Sequence, residues 1–154
     1  MTLEQKLDTL AAYVLAEDAE SREVARKALT ASMRATEKHE IQATTDAEEI
    51  VHQYLLELGA QPHLLGYRYA VYGILEAVMN PDVVDNICSR FYPGIAMKFN
   101  TTAARADRAI RNLIEQTWTY GDTDKQFQYF KSGKPTNSEF VARSALVIRS
   151  RLKK

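Results

Sequence analysis

The sequence has one cysteine, three histidines and no net charge, and each shortage excludes something. With Cys88 alone there is no intramolecular disulfide, which fits a reducing compartment. His39, His52 and His63 lack the i,i+4 spacing of a helical metal pair, and Cys88 has no nearby Cys or His in sequence. No Gly-rich phosphate loop or nucleophile elbow is present, so nothing points to an enzyme or to a cofactor. No apolar run approaches the roughly 18 residues of a membrane span, and the N-terminus lacks a basic-then-apolar signal pattern. The expected location is the cytoplasm, with no membrane partner.

Zero net charge by itself argues against a nucleic-acid partner, but the charge is unevenly placed. Residues 1–50 hold 6 Lys+Arg and 11 Asp+Glu, net −5; residues 51–154 hold 14 and 9, net +5. A basic two-thirds behind an acidic N-terminus is compatible with DNA. Hydrophobic content of 45% over 154 residues suits one domain, or one domain with an appendage.

The patterning is helical throughout. Leu3, Leu7, Leu10, Ala11, Val14 and Leu15 form one apolar stripe. It breaks at residues 17–21 and resumes with Val24, Ala25, Ala28, Leu29 and Met33. An N-terminal α-hairpin is expected, packed on the following domain or on a second copy, because two helices bury little alone. The polar stretch Arg34–Thr45 is the best boundary, dividing a hairpin and linker (1–45) from a second domain (46–154), although without Gly or Pro it equally suits a continued helix. Thr45-Asp46-Ala47-Glu48 reads as a capping box opening a helix with Ile50, Val51, Tyr54, Leu55 and Leu58 inward, ended by Gly59. Gly66–Met79 makes the next helix; its tyrosines suit core packing better than a base-stacking platform. Asn80-Pro81 starts another, with Val83, Val84, Ile87, Cys88 and Phe91 leading on.

The organising stretch is Phe91–Trp118. Pro93 and Gly94 suit a helix start, with Ile95, Ala96 and Phe99 on its apolar face. Asn100-Thr101-Thr102 is a turn: Asn tolerates the left-handed conformation, and either Thr can accept from the next helix's free N–H groups. From Ala103 the pattern splits at ~100° per residue. Ala106, Ala109, Ile110, Leu113, Ile114 and Thr117 share one side; Arg105, Arg108, Arg111 and Asn112, with Thr101 and Ala104 at the start, share the other. The expected architecture is all-α, a multi-helix bundle containing a helix-turn-helix. Arginines near a helix N-terminus suit DNA, because the guanidinium can pair bidentately with guanine and the helix N–H groups accept phosphate. Periodicity alone does not separate this from an ordinary solvated face.

Beyond Trp118, the helix should end by Gly121, and residues 126–130 are expected to place Phe127 and Phe130 under the domain. Residues 131–135 form a basic loop, either solvated or beside DNA. Thr136 or Asn137 then caps a last helix with Phe140, Val141, Ala145 and Ile148 inward. Its tail cations, Arg149, Arg151, Lys153 and Lys154, suit the dipole at a helix C-terminus.

IAMKFNTTAARADRAIRNLIEQTW and KPTNSEF, with LGAQPHLLGYRYAVYGILEAV upstream, resemble the C-terminal effector domain of the stage-zero sporulation response regulator family, over roughly residues 48–152. The resemblance implies an all-α domain that binds double-stranded DNA at a TGTCGAA-like box, often in tandem copies. It puts the family's base-reading arginine on Arg105 and its second base-reading position on Asp107. Arg108 and Arg111 match motif arginines, expected at phosphates with Lys98 and, from the basic loop, Lys134. Ala104 stands where the family has Ser, Asp107 where it has Glu, and Asn112 where it has His. The roughly 45 residues ahead are too few for the family's receiver domain, so control by aspartate phosphorylation is not expected. A second class of reading also stands: an interaction module that keeps the fold, has lost the DNA site and works through its hairpin. Pairing of two copies, through the hairpin or on tandem boxes, fits either.

Overall fold

The computed structural model describes residues 2–15 and 19–154, which contain eight α-helices and a π-helical turn and no strand. They form two compact units that divide between Thr45 and Asp46.

The first unit holds α1 (Leu3–Leu15) and most of α2 (Ala19–Leu58). Thr2 and Gln5 cap α1 reciprocally, each backbone N–H donating to the other's side-chain oxygen. Lys6 Nζ donates to Thr36 Oγ1 at 3.0 Å, joining the hairpin's two arms. None of the described side chains in this unit is buried, and Leu3, Leu7, Leu10, Val24, Met33 and Ile41 are exposed. The expected capping box at Thr45 does not form, because α2 passes through that point without a break. Thr44 and Thr45 instead donate back to the carbonyls of Glu40 and Ile41, four residues earlier. With no Gly or Pro before Gly59, nothing in residues 34–45 ends the helix.

The second unit begins inside α2, where Ala47, Val51, Tyr54, Leu55 and Leu58 are buried. Gly59, at φ 92°, ends the helix, and Ala60 N–H closes it on Leu55 O. Next comes α3 (Leu65–Met79), buried on most of its circumference and packed against both α6 (Ala103–Tyr120) and α8 (Asn137–Leu152). Gly66 sets the close crossing with α6, since a Cβ there would lie 2.7 Å from the carbonyl carbon of Ala109. The tyrosines of α3 belong to the core. Tyr67 and Tyr69 are buried, and the Tyr69 and Phe99 rings lie 5.0 Å apart.

Between α3 and the motif, Asn86 interrupts the expected continuous helix. α4 (Asp82–Asp85) is followed by the π-helical turn Ile87–Phe91 and then α5 (Tyr92–Phe99). Val83 and Phe91 are buried, and Cys88 is exposed.

After α6, α7 (Thr123–Tyr129) corrects a sequence expectation. Phe130 is buried against Trp118 and Phe140, whereas Phe127 is 62% exposed. The inward place goes to Gln126, whose amide donates to Leu58 O at 3.1 Å and Thr117 O at 2.7 Å. Two helix ends meet there; Leu58 O and Thr117 O already accept from the N–H groups of Asp122 and Gly121, and the amide fills the second acceptor site of each, which phenylalanine could not do. In α8, Thr136 and Glu139 make the capping box, and Phe140, Val141, Ser144, Ala145 and Ile148 face inward. The two tail arginines have specific partners. Arg149 donates to the carbonyl of Ala77, near the end of α3, and Arg151 pairs with Glu57 at 2.7 Å while its guanidinium lies over the Tyr54 ring.

Candidate nucleic-acid interface

The turn between α5 and α6 is built from backbone constraints. Asn100 takes φ 52°, ψ 52°, the sole left-handed non-glycine among the described residues. This lets the N–H groups of Asn100 and Thr101 both close on Ala96 O and end α5. Thr102 is extended and its hydroxyl accepts from Arg105 N at 3.2 Å, so the Thr that caps is the second of the pair. Ala106 N–H takes Thr102 O, leaving the N–H groups of Ala103 and Ala104 without an intrahelical acceptor. The start of α6 thus presents free donors and the positive end of the helix dipole.

The inner face of α6 matches its pattern. Ala106, Ile110, Leu113, Ile114 and Thr117 are buried, and Ala109 is partly so under Gly66. Ala104, Arg105, Arg108, Arg111 and Asn112 are exposed on the other side. Thr102 and Lys98 are exposed beside them, and Thr101 is half-buried. Among the described residues no ion pair engages Arg105, Arg108 or Lys98.

The remaining expected site residues are already partnered. Arg111 Nη2 donates to both carboxylate oxygens of Asp107, at 3.1 and 2.9 Å. Asp107 Oδ1 also accepts from Asn137 Nδ2 at 2.9 Å. Asp107 therefore faces α8 and Arg111, and only the lone pairs left over are open to a base. Lys134 forms an ion pair with Glu115, which lays the basic loop against α6.

Two contributors carry no local sequence signal. Asn137, the first residue of α8, also donates to Tyr92 OH at 2.9 Å. Burial pushes the Tyr92 phenol up to about 12; the bond from Asn137 opposes this and the Asp107 carboxylate beside it adds to it. Arg68, from α3, places its guanidinium 5.3 Å above the Phe99 ring at the end of α5, another cation beside the motif.

His52 shares a 2.8 Å hydrogen bond with the Tyr67 hydroxyl and lies by Glu48, and no group of three His, Cys, Asp or Glu among the described residues could hold a metal ion. No described helix is long and apolar enough to cross a membrane.

A capped helix with an arginine face, held at a left-handed turn behind a shorter helix, is the arrangement of DNA-reading helix-turn-helix domains. A family model described as sporulation initiation factor Spo0A C terminal matches residues 51–148, which takes in α3 to α7 and most of α8. The chain therefore belongs to the Spo0A C-terminal family, the DNA-binding effector domains of a transcription regulator of sporulation.

Proposed function

We propose that this chain regulates transcription in the cytoplasm by reading a TGTCGAA-like box, with α6 laid in the major groove. The observation that carries the reading is the outer face of α6, where Arg105 and Arg108 stand exposed and unpaired beside the free N–H groups of Ala103 and Ala104. Arg105, in the first turn, is the main base reader, able to span O6 and N7 of a guanine. Thr101, Thr102 and Ala104 meet the backbone at the helix start, and Asn112 tunes preference two turns further on. Lys98, Arg108, Arg111 and Lys134 hold phosphates, Lys134 after exchanging Glu115 for DNA and Arg111 with the N–H groups that its bond to Asp107 leaves open. Two copies engage tandem boxes.

The number of phosphates fixes the salt dependence. With Lys98 and Arg108 alone the slope of log K against log salt is about −1.8, and with all four cations about −3.6. Fluorescence anisotropy at two salt concentrations, with a duplex bearing two tandem boxes and a scrambled duplex, tests both parts. Preference for the box by roughly 10³ or more is expected. Weak, salt-insensitive and equal binding to the two duplexes would remove the proposal.

One observation favours a second reading. The exposed Leu3, Leu7 and Leu10 of the hairpin form an apolar stripe suited to pairing with a second copy or another protein. Sedimentation of the full chain with and without duplex distinguishes pairing through the hairpin from pairing on DNA alone.

A further inference from the structure

Asn137 lies outside the helix-turn-helix, yet three acceptors of its side-chain amide lie within it. Its Nδ2 is 2.9 Å from Tyr92 OH, 2.9 Å from Asp107 Oδ1 and 3.1 Å from Asp107 O. Tyr92 begins α5 and Asp107 sits in the second turn of α6, so one amide bridges both helices of the motif. Two N–H bonds serve three acceptors, so at least one is shared. The backbone that carries the amide is fixed by the capping box of Thr136 and Glu139 that starts α8.

The bridge continues outward. The carboxylate that accepts from Asn137 on one side accepts from Arg111 on the other. Arg111 is a long, exposed side chain that would otherwise sample many rotamers; tethering its guanidinium before DNA arrives lowers the ordering cost of binding. The shared helix spacing also bears on Arg105, which must reach a base edge from the same α6.

The geometry points to Asn137 as a positioning residue for DNA reading: through Tyr92 and Asp107 it holds α5 and α6 at one spacing and presents Arg111 at the groove edge. This rests on the DNA-reading function proposed above. Asp107 is on this view chiefly the link between α8 and Arg111.

Three variants of the full chain test it. Asn137→Ala removes the amide, Asn137→Asp keeps its shape without the donor and sets two carboxylates together, and Ser144→Ala removes a buried hydrogen bond elsewhere in α8. In the free protein, ¹⁵N relaxation of Arg111 Nε should show a guanidinium ordered in the parent and in Ser144→Ala and loosened in both Asn137 variants. In anisotropy, the preference for boxed over scrambled duplex should fall about tenfold in Asn137→Ala, and further in Asn137→Asp. Ser144→Ala should keep the parent's preference. An Arg111 signal unchanged by Asn137→Ala overturns the positioning role, as does a preference that survives intact or falls equally in Ser144→Ala. A parent that does not discriminate the duplexes refutes the DNA-reading function instead, and the Arg111 relaxation still decides whether Asn137 holds the cluster.

Discussion

Adding one methyl group should have opposite effects at two glycines, and the difference follows from what each Cβ would meet. At Gly66 it would lie 2.7 Å from the backbone carbon of Ala109, closer still to that residue's carbonyl oxygen, and 3.0 Å from Leu113 Cβ. Backbone cannot turn aside as a flexible side chain can, so α3 and α6 must separate. Ordinary contact begins at 3.4 Å, so the carbon alone requires an opening of about 0.7 Å, from 2.7 to 3.4 Å, and the closer oxygen requires more. Overpacking of this kind costs about 1–3 kcal/mol. The helix-propensity gain of at most about 1 kcal/mol offsets part of it, and less near a helix start. At Gly94, within α5, a Cβ meets nothing within 4 Å. Gly94→Ala should therefore stabilise by about 0.4–1 kcal/mol. Thermal unfolding reads both, at roughly 4 °C per kcal/mol for a unit of this size. Gly66→Ala should lower the midpoint by several degrees and Gly94→Ala raise it by a few. A Gly66→Ala protein as stable as the parent would refute the close crossing of α3 and α6.

Tyr54 and Ser144 share a buried 2.9 Å hydrogen bond, so Tyr54→Phe or Ser144→Ala alone should cost about 1–3 kcal/mol in urea melts. The double variant should cost clearly less than the sum; strict additivity would deny the coupling. Tyr92 titrates near 12 folded against 10.0 unfolded, so above pH 10 the unfolded chain holds fewer protons and stability should fall as pH rises from 10 towards 12. The Tyr54 phenol, raised chiefly by burial, acts in the same direction. Tyr92→Phe should make that decline shallower, and an unchanged slope would place the effect elsewhere. Lys134→Ala should weaken boxed and scrambled duplexes alike and reduce the salt slope by about one. Glu115→Ala, which frees Lys134, should strengthen both; no change in either variant would leave Lys134 as a structural cation of the loop.

The parts of the fold legible in the sequence were those governed by local rules. The two faces of α6 follow from its 3.6-residue period, and the turn at Asn100 follows from the small set of residues that accept a left-handed backbone. Where a local rule had a competitor, it misled. Thr45 and Glu48 have capping-box spacing, but a threonine hydroxyl can also bond back to a carbonyl one turn earlier, and in an uninterrupted helix it does. Phe127 looked more suited to the interior than Gln126, but the meeting ends of α2 and α6 favour a buried amide. The site divided in the same way. The exposure of Arg105, Arg108 and Asn112 was readable from periodicity, whereas the attachment of Asp107 to Asn137, thirty residues on, depends on where α8 begins in space.

The central claim is that α6 reads bases through Arg105, and the most direct test is Arg105→Ala measured by anisotropy on boxed and scrambled duplexes at one salt concentration. Loss of a bidentate guanine contact should cost about 1–3 kcal/mol on the boxed duplex and much less on the scrambled one, so the preference collapses while nonspecific binding persists. An equal loss on both duplexes would make Arg105 a phosphate contact and contradict the claim.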